Sequence, residues 1–173
     1  MLDLKVSSSR SKSDGYYHNR ISIIFSFVIL IPVALSAYGD QNYWLRIFLA
    51  WFGCAVAGCV ITPDLDQEVW TTAKTNWSKI PVVGWVFQYI WGFYWHPYAL
   101  INPHRGRSHT IWGTFERFLY FLPIILGIFY LFHLGEGFKA FLKFPYMEYL
   151  YFNLGLMVSD LGHILRDKYG LQL

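Results

Sequence analysis

Charge is what this chain has least of. Asp, Glu, Lys and Arg make up 14% of its 173 residues, while hydrophobic residues make up 55% and aromatics 21%. Soluble domains carry about a quarter charged residues, so this composition excludes an ordinary water-facing domain. The net charge is only +3, and no nucleic-acid partner is expected. Cysteine is nearly absent too. Cys54 and Cys59 lie five apart on one apolar stretch and point to different helix faces, so they read as small apolar fillers and not as a disulfide. A cleavable signal is also lacking: the first apolar run meets Tyr38-Gly39-Asp40 with no small-x-small site, and is expected to be an uncleaved anchor.

What is abundant is apolar sequence in helix-length runs, with Trp and Tyr in the excess that suits headgroup level. Residues 1–15 are polar and are expected to form a disordered tail. Residues 16–173 read as one helical membrane domain. Its first span is the charge-free run 21–37, followed by a tight turn at Gly39-Asp40-Gln41-Asn42. A second span, 43–61, carries Arg46 near its start, placed to snorkel, and is ended by Pro63. Residues 80–101 are aromatic-rich but interrupted by Pro81, Gly84, Gln88, Gly92, His96 and Pro97, which predicts an interfacial or re-entrant segment. Spans three and four cover 111–134 and 145–165. The predicted fold is therefore all-α: a polytopic membrane protein with four transmembrane helices and an interfacial or re-entrant helical segment between spans two and three.

Placing both termini in the cytoplasm puts eleven of the 14 Lys and Arg residues on that side and leaves Arg46, Lys139 and Lys143 on the other. That is a clear positive-inside bias. The same topology carries His18, Asp64, Asp66, His104, His109, Asp160, His163 and Asp167 toward the cytoplasmic face. Carboxylates and imidazoles at membrane depth are costly unless paired or bound to a cation, and a shared metal would explain all of them.

Each group also has a plainer reading. Asp160, His163 and Asp167 are spaced i, i+3, i+7 and fall within roughly 60° on one helix face, which Asn153 continues inward. Asp160 lies roughly 9 Å along the helix from Arg166; alternatively its carboxylate pairs with Arg105, Arg107 or Arg117. Pro63-Asp64-Leu65-Asp66 directs two carboxylates one way if extended, or simply caps a helix in solvent. His104 and His109 are imidazoles of the kind zinc, manganese and iron accept. Arg105 and Arg107 beside them suit a phosphate or carboxylate, or lipid headgroups. Glu116 follows His109 by seven residues on one face, as a ligand, a general base or the partner of a nearby Arg. His133 falls at the far end of its span, and His96 beside Pro97 reads as an interfacial contact.

Taken in order, Tyr17-His18-Asn19-Arg20-Ile21, Pro63-Asp64-Leu65-Asp66, Trp95-His96-Pro97-Tyr98, His104-Arg105-Gly106-Arg107-Ser108-His109 and Asp160-Leu161-Gly162-His163 resemble a family of uncharacterised metal-binding integral-membrane proteins of cyanobacterial type. The His-Arg-Gly-x-Ser-His element is also similar to the YdjM-type inner-membrane proteins regarded as metal-dependent hydrolases. The chain departs from the resemblance at Asn19, where Asp is expected, and at Thr110, where Gly is expected. The resemblance implies metal ligands at His18, Asp64, Asp66, His104 and His109 and in the cluster of Asp160 and His163.

Two functions follow as expectations. The first is a metal-dependent hydrolase of a phosphorylated or other anionic amphiphile. A divalent ion (zinc, manganese or iron before calcium) would activate water, Arg105 and Arg107 would hold the substrate anion, and Asp167 or Glu116 would be the base. The second is a non-catalytic metal protein whose ion is structural or regulatory. A transporter is disfavoured because the acids gather at one end and little besides Asn153 and a few Ser would line a path.

Overall fold

A computed structural model describes residues 19–61, 77, 79–102 and 107–169, and every regular element among them is helical. The all-α expectation holds. The order is α1 (Asn19–Ala37), α2 (Tyr43–Ala55), α3 (Gly84–Ile101), α4 (Ile111–Phe132), the short α5 (Lys139–Leu142) and α6 (Tyr146–Tyr169). Single 3₁₀ turns follow α2 at Ala57–Cys59, precede α4 at Arg107–His109, and follow α4 at Leu134–Glu136.

The expected turn between α1 and α2 forms as its residues dictate. Gly39 takes φ +83°, a conformation that costs a residue without a Cβ little. The carboxylate of Asp40 then accepts the backbone N–H of Asn42 at 2.7 Å. Arg46 does not reach outward to an interface as expected. Its guanidinium is 2.8 Å from Asp40 and 3.5 Å from Glu148 in the first turn of α6, and it lies over the Tyr151 ring. Pairing removes the need to snorkel, so Arg46 ties the first turn of the bundle to α6.

α2 and α6 form the central pair, and small residues let them approach. Ala50, Gly53 and Cys54 face Phe152, Gly155 and Leu156, and their backbones nearly touch. A Cβ on Gly53 would strike the Phe152 carbonyl oxygen, and one on Gly155 the Ala50 carbonyl oxygen. Close backbone approach through small side chains is how helices associate when the surroundings are as apolar as the side chains. α1 packs on this pair through Ile29, Val33 and Ala37, against Ala50, Cys54 and Tyr151. On the other side Ala57, Ile61 and Leu156 join Trp95, Tyr98 and Phe121.

α3 runs antiparallel beside α4. Trp91 meets Phe121 edge to face, while Tyr98, further along α3, reaches the Gly113 carbonyl earlier in α4. Each helix contains a proline, Pro97 and Pro123, which removes a backbone donor and loosens the preceding turn. Three residues before each proline stands a tyrosine, and the pair clasp each other. The Tyr120 hydroxyl donates to the Tyr94 carbonyl at 2.7 Å, and the Tyr94 hydroxyl donates to the Tyr120 carbonyl. The reciprocal bonds hold α3 and α4 in register beside their prolines.

α1 and α4 are long and apolar enough to cross a membrane. α2, even with its 3₁₀ turn, ends at Cys59 and falls short. α6 has the length but carries Asn153, Asp160 and His163, so its composition does not qualify. Among the described residues, two helices therefore meet the length and composition for a span, and the expected four are not shown.

Two measurements check the packing. Gly155→Val should cost about 1–3 kcal/mol by overpacking and lower the unfolding temperature of the detergent-purified protein. Gly127→Val, where an added side chain meets nothing, should leave it within a degree or so of wild type on this view. Tyr94→Phe and Tyr120→Phe should each cost about 1 kcal/mol, whereas Tyr89→Phe, an exposed position, should cost nothing measurable.

Candidate metal centre

Four helix ends meet where the sequence motifs cluster: the start of α1, the end of α2, the start of α4 and the end of α6. Ser22 of α1 and Ser159 of α6 share a hydrogen bond at 2.7 Å, and Ile21 lies over Gly162. Gly58, just past α2, packs on the Ser159 side chain. Cys54 donates its thiol hydrogen to the Ser22 carbonyl and is fully buried, in keeping with its reading as a filler. Neither Cys54 nor Cys59 is in a disulfide.

On this floor stand the functional side chains. Asp160 and His163 lie one turn apart on α6 and are buried. Asn153 is buried on the same face and donates to the Tyr149 carbonyl at 2.7 Å. Asp160 Oδ2 is 2.5 Å from Arg117 Nη2, and both side chains are only 2% exposed. The same guanidinium donates to Thr114 Oγ1 at 3.3 Å. Asp160 therefore takes the ion-pair role its sequence context allowed, with Arg117 as partner. Its other oxygen, Oδ1, is buried and has no hydrogen-bond partner among the described residues.

His109 arrives from the other side. It closes the 3₁₀ turn ahead of α4, and Thr110 caps that helix by accepting the Gly113 N–H at 3.2 Å. Threonine is among the favoured capping residues. The cap fixes where the helix begins and hence where His109 sits. The imidazoles of His109 and His163 are 5.5 Å apart between ring centroids, inclined at 66°. Arg107 and Glu116 form an ion pair with each other at the rim, the alternative that the sequence left open for Glu116. His96 is exposed on α3, and His133 sits at the opposite end of α4, its Nδ1 against the Phe129 carbonyl.

His18, Asp64, Asp66, His104 and Arg105 lie outside the described residues, as does the side chain of Asp167. Among the described residues, no three His, Cys, Asp or Glu side chains are close enough together to hold a metal ion. What the described part supplies is a pair of imidazoles and a half-engaged carboxylate. Two imidazoles on one tetrahedral ion, with nitrogens about 2.0–2.1 Å from it, have ring centroids about 5 Å apart. The His109–His163 spacing fits that requirement, and Asp160 Oδ1 is a buried acceptor of the right chemistry.

Arg117 enters the sequence reading only as one of three candidate partners for Asp160, and the structure selects it. The signal was there in the spacing of Gly113, Thr114, Arg117 and Phe121, which form the buried face of α4, while Glu116 points to the rim.

An all-helical protein with paired imidazoles and a buried carboxylate at one end of its bundle is suited to bind a cation. The comparison with known families agrees. Residues 13–173 match the family described as "Uncharacterized metal-binding protein (DUF2227)", and the chain belongs to it. No curated protein and no solved structure matches.

The buried pair should respond as an isolated couple. Arg117→Met or Asp160→Leu alone should cost about 3–5 kcal/mol by stranding a charge, and the double substitution should recover most of it. Thermal unfolding of the three variants in one detergent measures this. A double variant no more stable than either single would count against the pair.

Proposed function

We propose that this protein is a metal-binding integral membrane protein whose ion is held at the cytoplasmic end of a four-crossing helical bundle. The observation that carries the reading is the approach of His109 and His163 beside buried Asp160, across two helices distant in sequence. Every other expected ligand is covalently close to that end. His18 precedes Asn19 at the start of α1. Asp64 and Asp66 follow Ile61, which is buried with Leu156. His104 lies between the buried Asn102 and the turn that bears His109. With these residues added, His18, Asp64, Asp66, His104, His109 and His163 would supply the donors, with Asp160 Oδ1 among them. A set mixing imidazole and carboxylate suits zinc, manganese or iron.

The outer surface supports four crossings even though hydropathy singles out two helices. Met147, Leu150, Met157 and Leu161 make an exposed apolar stripe on α6, while its polar residues face inward. α1 exposes Phe27, Val28, Ile31 and Leu35 in the same way. Large apolar side chains outside and polar groups inside suit a bilayer. Arg20, Arg107, Arg166 and Lys168 gather at the site end. At the other end Arg46 and Lys143 are each paired with acids. The positive-inside rule then puts the site and both termini in the cytoplasm.

Binding, not turnover, is the function this geometry supports best. A bound ion could acidify water for hydrolysis of an anionic amphiphile. In that reaction Arg105 and Arg107 would hold the anion, and Asp167 or Glu116 would take the proton. Arg107 and Glu116, however, neutralise each other, and nothing among the described residues favours turnover over binding alone.

Elemental analysis of the full chain purified in detergent tests the proposal. Wild type should carry a stoichiometric transition-metal ion, and both His109→Ala/His163→Ala and Asp64→Ala/Asp66→Ala should lose it. A wild-type protein without metal, or either double variant retaining a full complement, would overturn it.

A further inference from the structure

We infer that Arg117 is a built-in substitute for the metal, a cation that holds Asp160 when the ion is absent and yields it when the ion binds. The inference rests on the metal-binding reading above and adds to it a regulation of affinity. Its basis is the asymmetry of one carboxylate. Asp160 is almost wholly buried, yet Arg117 engages only one of its oxygens, while Oδ1 has no hydrogen-bond partner among the described residues. That carboxylate lies one helical turn from His163, whose ring faces His109.

Charge arithmetic then sets two alternative states. With neither cation present, Asp160 would be an ionised group stranded away from water, which a folded protein tolerates only at considerable expense in stability. With both cations close to it, a guanidinium and a divalent ion would repel each other in surroundings that screen poorly. Arg117 has another acceptor in Thr114 Oγ1, on the preceding turn of its own helix, so it can give up Asp160 without losing every partner. The bundle therefore keeps its fold without metal, and the metal binds more weakly than its donors alone would allow. Such a site exchanges its ion and reports on metal supply; a permanently loaded structural site would have no need of the guanidinium.

The test uses the full chain in detergent, with Zn²⁺ as probe, and reads both affinity by calorimetric titration and thermal unfolding with and without Zn²⁺. Arg117→Met should bind Zn²⁺ roughly tenfold or more tightly than wild type, because the repulsion is gone. Its unfolding temperature should fall without metal and rise with Zn²⁺ by more than the wild-type increment. Arg117→Lys, which keeps the charge, should bind within about threefold of wild type by the same argument. Asp160→Asn should bind at least tenfold more weakly, because it removes a donor and leaves the cation.

Arg117→Met binding no more tightly than wild type would overturn the inference while leaving the metal site standing, as would an unchanged affinity in Asp160→Asn. Should Arg117→Met fold only when Zn²⁺ is supplied, that dependence is itself the expected result. Should it fold under neither condition, Asp160→Asn and Arg117→Lys decide. Wild type that takes up no Zn²⁺ and carries no other metal would remove the metal-binding reading, and this inference with it.

Discussion

The ion pair between Arg117 and Asp160 is the constraint around which one end of the molecule is arranged. Neither side chain reaches solvent, and a buried charge needs its partner at a fixed distance and angle. Satisfying that need ties the opening of α4 to the close of α6. His109, on the turn ahead of α4, and His163, one turn beyond Asp160, are then brought face to face. The pair does not have to be a strong source of stability to have this effect, since buried pairs often contribute little net free energy. Its role is to make other arrangements of α4 against α6 more expensive.

The opposite end uses charge differently. Asp40, Arg46 and Glu148 form a small network that joins the first turn to the beginning of α6, and Glu136 pairs with Lys143. The hydrogen bond and charge of the Lys143 ammonium hold the Glu136 carboxyl below its ordinary range. In a chain with so few charges, most of those described are committed to a partner. Among the described residues, that economy leaves Asp160 Oδ1 as a buried carboxylate oxygen with no hydrogen-bond partner.

Much of this was legible in the sequence. Apolar runs of helical length gave the elements, Gly39 and Asp40 gave the turn, and the charge count put His109 at the same end as Asp160 and His163, as the structure has them. Asp160 and His163 were recognisable because acid and imidazole stand out on a helix such as α6. The roles of Arg117, Glu116 and Arg107 were less legible, because sequence lists the candidate partners of a charge without choosing among them. Glu116 and Arg117 are adjacent, and helical geometry sends one to the rim and the other to the core. The count of four spans is not shown, because α6 carries inward polar residues that lower its average and the ladder of α2 tightens at Ala57, leaving it short. The tyrosine clasp of α3 and α4 was invisible for another reason: it depends on the register of two helices, which no single-chain pattern encodes.

The seam between α2 and α6 has a mechanical consequence. It continues from Gly53 and Gly155 to Gly58, which rests on Ser159, the residue immediately before Asp160. Where backbone lies on backbone there is no cushion of flexible side chains to absorb a longitudinal slide. A slip of α6 along α2 would carry Asp160 past Arg117 and His163 past His109 by the same amount. The spacing of the donors is thus gauged by the glycines of this seam, and a tight seam works as the ruler against which the cation site is measured.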